Sequence, residues 1–376
     1  PKVISLSGSR LYDATTDAVA SDLTTISGLV GSETLNLSGT GSVTNANVAS
    51  NKTVTLGTLA LADNSGLAAN YTLSGGTHQL TINQRPLAAT VARQYDGTKT
   101  AAGSDLSSFD ALQGGETLTL SGSGTVGDEN VANGQGITLG TLALVDGTGL
   151  ASNYSLNSAS LNITERVLNS SGSKTYDANT NALAGAITLS NLVSGEALNH
   201  SGTATISSAN AGSYTITNLA GITIADGSGG TASNYTLTGG THNFTVNPKV
   251  VSIQGNKTYD GNTTISSGDI TSITDTVGAE TLVISSGSGT VSSANAATYA
   301  SAGINEGTLT LGNGTNGGLA SNYTLTGHAA SSFQVAQRVL SSSGSRIYDG
   351  STTASSSDLT LSLSLIHISE PTRLPG

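Results

Sequence analysis

Cysteine, methionine and tryptophan are all missing from the 376 residues, and charged side chains make up only 10% of them. Without Cys there is no disulfide framework, no thiolate metal site and no cysteine nucleophile. An extracellular protein stabilised without disulfides is compatible with that. Without Trp, and with only three Phe, the chain is poor in the aromatic faces that sugar-binding surfaces use. The formal net charge of −11 argues against nucleic acid and anionic membrane partners, which need clustered Lys and Arg. No apolar run approaches the ~20 residues of a membrane span, so no membrane insertion is expected, and none reads as a signal peptide. With Pro1 first and no Met anywhere, the chain reads as an internal fragment, so missing targeting signals leave its location open.

What is abundant is Ser, Thr, Gly, Asn and Ala, a composition shared with disordered low-complexity tracts. A fixed period argues against disorder. A basic residue, a variable one, then Tyr-Asp occurs five times, at Tyr12-Asp13, Tyr95-Asp96, Tyr176-Asp177, Tyr259-Asp260 and Tyr348-Asp349. The Tyr-to-Tyr spacings are 83, 81, 83 and 89 residues, a period long enough for each repeat to be a small module. About 20 residues after each of the first four Tyr comes a Glu-x-Leu, at Glu33, Glu116, Glu196 and Glu280. An Asn-Tyr-[Thr/Ser]-Leu closes each module, at Tyr71, Tyr154, Tyr235 and Tyr323. Lys2, Arg85, Arg166, Lys249 and Arg338 each precede the basic residue of a Tyr-Asp site by eight positions.

Between these landmarks the chain alternates apolar and polar residues, as in Thr34-Leu35-Asn36-Leu37 and Thr138-Leu139-Gly140-Thr141-Leu142. Period-two alternation broken by Gly, Asn, Asp and Ser clusters marks half-buried strands. No helical period persists for three turns; Ser104–Leu112 is the best candidate for one short turn or helix. The expected fold is therefore all-β: a tandem array of small antiparallel β-sandwich (Ig-like) modules of about 83 residues. A β-grasp-like sheet crossed by one short helix is the alternative. Modules are expected at 1–84, 85–165, 166–248 and 249–337, with a truncated fifth at 338–362. Their junctions, such as Ile82-Asn83-Gln84-Arg85, lack Gly/Ser linkers. A semi-rigid, monomeric string of beads follows. The Gly/Asn-rich insertion Gly312–Gly318 reads as a loop tip. The tail 363–376 breaks the pattern and resembles a translated sequencing adapter, an artefact without functional weight.

Each landmark has a structural reading beside a functional one. At the Tyr-Asp site the ring buries at a strand end, while the Asp accepts backbone N–H groups of an Asx turn. A ligand or Ca²⁺ site is the sharper reading, but no further carboxylate has a fixed nearby place. Gly follows at three of the sites, and Ala14 and Ala178 at the others, from which a positive φ is not expected to be required. The basic residues are read as contacts to Asp. Gly122-Ser123-Gly124-Thr125-Val126-Gly127 matches a dinucleotide-binding pattern, but strands flank it on both sides. Asp146-Gly147 and Asp226-Gly227 read as turns without a calcium-loop pattern. The scattered His residues form no zinc set and the Ser residues no nucleophile motif. No catalytic, cofactor or metal residue is expected.

The Tyr-Asp-Gly landmark, the Glu-x-Leu strand, Ala209-Asn210-Ala211-Gly212-Ser213-Tyr214 and the closing Asn-Tyr-Thr-Leu resemble the YDG-type repeats of bacterial surface proteins. With the related MBG-type modules, these occur in filamentous-haemagglutinin-like, two-partner-secreted adhesins. The resemblance covers residues 1–362. It implies an extracellular or outer-surface location and a stalk or spacer role, with host glycans or proteins engaged outside this stretch. Modules that themselves bind glycans or proteins are the alternative.

Overall fold

The computed structural model describes residues 1–216 and 218–363; the tail expected to be an artefact lies outside them from residue 364 on. The described chain is all-β, in tandem repeats, with short 3₁₀ turns and no α-helix. No helix in it is long and apolar enough to cross a membrane. The candidate at Ser104–Leu112 divides into a 3₁₀ turn, Gly103–Asp105, and a strand, Leu106–Phe109.

The first repeat shows the plan. Its strands β1 (Ser5–Leu11), β2 (Thr25–Ser27), β3 (Ala49–Thr53) and β4 (His78–Asn83) form one sheet in the order β2-β1-β4-β3. The central pair is parallel, with Leu6 beside His78 and Leu11 beside Asn83, and the outer strands are antiparallel to it. The period-two pattern is plain in β4, where His78, Leu80 and Ile82 are buried. Two short antiparallel ladders complete the repeat: Asp17–Val19 with Thr40–Ser42, and Leu35–Ser38 with Ala60–Asp63. The parallel centre belongs to the β-grasp-like alternative, although ladders and 3₁₀ turns stand where that expectation had a helix. Alternation cannot tell the two pairings apart, because both put every second side chain on one face. A parallel pair also sends the chain out of the repeat at the end opposite to its entry, so a short connector suffices before the next.

The chain falls into two compact units. The first comprises Pro1–Asn169, Ser190–Asn199 and Ile224–Gly240; the second comprises Ser170–Leu189, His200–Thr223 and the described residues from Thr241 on. In the first unit, the sheet of the second repeat has the same order: Leu106–Phe109, Arg85–Gln94, Tyr154–Thr164, Ala132–Gly136. In the second unit, Ser170–Thr175 pairs parallel with His242–Asn247, and Gln254–Thr258 with Ser332–Ala336. Phe244 and Phe333 lie over Gly172 and Gly255, where a Cβ would stand 2.9 and 2.8 Å from the ring. Leu161, matched by Val91, takes the same place in the second repeat.

The core of the first repeat does not stop at its own residues. Ile4, Leu6, Tyr12, Leu23, Leu80 and Ile82 are continuous with Leu87, Leu118 and Tyr154 of the second.

Candidate functional site

Tyr12 directly follows β1 with its ring buried. Its hydroxyl donates to Glu116 Oε1 at 2.6 Å, a residue of the next repeat. The other oxygen of Glu116 accepts from Tyr154 at 2.6 Å, and the two rings meet edge to face at 5.2 Å. One carboxylate is thus held between two tyrosines. The arrangement recurs twice. Glu196 accepts from Tyr95 at 2.7 Å and Tyr235 at 2.6 Å within the first unit; Glu280 accepts from Tyr176 at 2.7 Å and Tyr323 at 2.6 Å within the second. The ring pairs stand 5.4 and 5.3 Å apart. Glu33 takes one hydroxyl, that of Tyr71.

Both elements of this clasp are dictated locally. The second tyrosine follows a 3₁₀ turn, as at Ala151–Asn153, and its oxygen accepts a backbone N–H from the loop before the Glu. For Tyr154 that donor is Gln113, at 3.1 Å; for Tyr235 it is Val193, at 3.1 Å; for Tyr323 it is Val277, at 2.9 Å. Burial, and then the bonded carboxylate, raise the hydroxyl pKa of each tyrosine in the complete clasps: Tyr154, Tyr176, Tyr235 and Tyr323 go to about 12, and Tyr12 and Tyr95 higher still. All six therefore stay protonated and donate at any physiological pH.

An asparagine pair lies beside every complete clasp. Asn153 Oδ1 accepts the Val48 N–H at 2.9 Å, and its amide donates to Asn47 Oδ1 at 3.1 Å. Asn234 does the same to Val131 and Asn130, and Asn322 to Ala211 and Asn210. These three residues, which precede the second tyrosine of each clasp, are almost wholly buried. Basic side chains add a third tie: Arg85 donates to the Tyr12 carbonyl at 3.1 Å, and Arg166 to that of Tyr95 at 3.3 Å.

Of the nine tyrosines singled out in the sequence, six enter clasps, Tyr71 bonds Glu33 without a second ring, and two do neither: Tyr259 is 41% exposed and Tyr348 92%. The five Asp residues form Asx turns. Asp13 and Asp96 accept from Thr15 and Thr98, Asp177 and Asp260 from Asn179 and Asn262, and Asp349 from Ser351. Each pairs with the basic residue three positions before it, from Arg10 to Arg346. Burial alone would raise the Asp13 and Asp177 carboxyls, but the turn and basic partners outweigh it and hold both below the usual value.

The residue after Asp corrects one expectation. Ala14 and Ala178 adopt φ of 61° and 62°, in the left-handed region with Gly97, Gly261 and Gly350. The turn requires a positive φ, and two repeats meet it with Ala at a cost of roughly 1–2 kcal/mol.

Asp146 and Asp226 each accept a backbone N–H of the following 3₁₀ turn. The buried His78 and His242 bond neighbouring strand atoms. Among the described residues no three His, Asp or Glu side chains group as metal ligands would. The Glu of the clasp was legible only as a strand marker. Its regular place in the repeat was a signal, but its partner lies about a hundred residues away.

A family model described as YDG domain matches residues 1–79, 77–163 and 159–243. No curated protein matches the chain.

Proposed function

This chain belongs to the YDG domain family, and on that premise we propose that its repeats are the stalk of a secreted or cell-surface bacterial adhesin. In this reading they are spacers of a filamentous-haemagglutinin-like protein, exported to the outer surface, that project a binding region away from the cell. One observation carries it. The side chains that recur most regularly, Tyr, Glu and Asn, are directed into ties between successive repeats. Buried donors and acceptors matched this way hold neighbouring repeats in a set arrangement. Side chains so engaged are not offered to a ligand, and no catalytic role is assigned to them.

Two measurements test the reading. Small-angle scattering on the whole chain should give an extended particle; a compact globule contradicts a spacer. A glycan array probed with the same chain should stay blank, since saturable, specific binding would make the repeats themselves the adhesive element.

A further inference from the structure

The four-stranded sheet of each repeat ends, on one side, in an outer strand: β3 (Ala49–Thr53), Ala132–Gly136, Gly212–Thr215 and Ala297–Ala300. An open edge of this kind recruits another strand unless something guards it. The first two repeats are guarded. An extra residue breaks their pairing, opposite Leu80–Ile82 in the first and between Ala132 and Gln135 in the second. There Asn51 and Gly134 take φ of 53° and 68°. Lys52 and Gln135, next in sequence, turn back to the carbonyls of Asn47 and Asn130 at 2.7 and 3.1 Å.

The third and fourth repeats lack that extra residue. Tyr214 and Tyr299 reach the same loop carbonyl, that of Asn210 and of Asn295, at 2.7 Å. The pairing runs without a break, from Gly212 with Val246 to Thr215 with Asn243, and from Ala297 with Val335 to Ala300 with Ser332. The Ile216 N–H donates to the His242 carbonyl at 2.8 Å. In antiparallel alternation, Tyr214 and Gly212 therefore turn their backbone groups into the sheet, and Ser213 and Thr215 turn theirs out. Both outward residues are exposed. The third repeat has a repeat on either side, and its edge is open all the same.

We propose that the edge Gly212–Thr215 is a docking surface for the same edge of a second copy of this chain. The occupant is argued from self-complementarity. About a two-fold axis at Tyr214, Ser213 exchanges both backbone bonds with the partner's Thr215, and Thr215 does so with the partner's Ser213. All four outward groups on each strand are then paired. The edge has no charged side chain, so two chains of net charge −11 meet there without like charges opposite each other. Tyr214 lies beside its own copy at the narrow, non-hydrogen-bonded position, where aromatic pairs add to the contact. The contact is isologous and joins two four-stranded sheets into one of eight. Ala297–Ala300 offers a second edge of the same kind, with Thr298 and Ala300 in the outward places. A strand pair this short buries far less than the ~1,200 Å² of a stable complex, so the association is weak and depends on concentration. It departs from the monomer expected from sequence and holds whether or not the repeats are spacers.

Sedimentation equilibrium on the full chain, up to about 0.5 mM, detects even a millimolar contact. Two double variants accompany the wild type. Ser213→Pro with Thr298→Pro removes one outward N–H from each edge, a place where a sheet tolerates proline. Tyr214→Lys with Tyr299→Lys copies Lys52 and sets like charges opposite each other. The average mass of the wild-type chain should rise above that of one copy, and both variants should stay at one copy. Hydrogen exchange at the Ser213 and Thr215 amides should slow as the wild-type concentration rises. A wild-type chain that stays monomeric overturns the proposal. So does association that leaves those two amides unprotected, or that persists unchanged in either variant.

Discussion

Replacing Glu196 by Gln tests the clasp with almost no change of shape. Tyr95 and Tyr235 both donate to this carboxylate. Neither hydroxyl can easily turn its proton elsewhere. The Tyr235 oxygen already accepts the Val193 N–H at 3.1 Å, and the Asn234 amide engages the Tyr95 oxygen. The site therefore requires two acceptors, which a carboxylate supplies and an amide does not. Glu196→Gln leaves one buried hydroxyl facing a donor, a penalty of about 1–3 kcal/mol. The remaining bond also loses its charge assistance, worth about 1 kcal/mol. The expected cost at this junction is about 2–4 kcal/mol. A tandem array need not unfold as one unit, so a local probe is preferable to a global midpoint. The Val193 and Val131 amides, bonded to Tyr235 and Asn234, provide one. Where opening is local, their hydrogen exchange should accelerate about thirty- to several-hundredfold, at a factor of ten per ~1.4 kcal/mol. Glu33→Gln is the control: among the described residues Tyr71 is its one donor, so one carbonyl suffices, and the cost should stay near ~1 kcal/mol. Equal exchange effects for the two substitutions would refute the two-acceptor argument.

Three other outcomes follow from the same geometry. Asn234→Ala removes the acceptor of the Val131 N–H and the donor to Asn130, so urea titration should show a loss of about 1–3 kcal/mol, while Asn70→Ala, at an exposed site, should cost almost nothing. Ala178→Gly relieves the left-handed strain at φ 62°; net of the greater unfolded-chain entropy of Gly, a gain of roughly 0.5–1 kcal/mol in urea stability is expected, and a loss would count against the strain. The tyrosine pKa values set an alkaline limit. An unfolded tyrosine loses its proton near pH 10, whereas in the fold Tyr154, Tyr176, Tyr235 and Tyr323 hold theirs to about 12. Their contribution is whole below pH ~10 and disappears as pH rises through 12. Tyrosinate absorbance should therefore develop together with unfolding in that window, and complete ionisation near pH 10 in a folded chain would contradict it.

The period, the strands, the Asx turns and the Arg10–Asp13 type of ion pair were all legible because each is settled by residues close in sequence. Two features were not. Alternation in β1 and β4 is the same whether they run parallel or antiparallel, so the mixed sheet had to be seen. The clasp was hidden by the repetition itself. Tyr12 has a candidate Glu within its own repeat, Glu33, and another one period on, Glu116. Local spacing favours the first, and the fold uses the second. In a tandem array the pairings n with n and n with n+1 leave the same trace in sequence.

The phase of that pairing changes what counts as a stable piece of the chain. Residues 1–84 look complete by period, yet alone they lose the Glu116 acceptor for Tyr12, the edge-to-face contact with Tyr154 and the packing of Leu118. The charge-assisted bond contributes about 1.5–3 kcal/mol and the ring pair about 0.5–1.5, or roughly 2–4.5 together. A domain of this size has about 4–12 kcal/mol in all, so the isolated repeat should forfeit a large share of its stability. The third repeat shows the same phase: residues 190–199 and 224–240, which carry Glu196 and Tyr235, pack in one unit with Tyr95, while most of that repeat's sheet lies in the other. A fragment spanning 1–165 keeps the first clasp. Its first repeat should melt at clearly higher urea than 1–84, followed through the near-ultraviolet signal of Tyr12. Coincident midpoints for the two fragments would mean that the repeats are independent and the clasp contributes nothing to the fold.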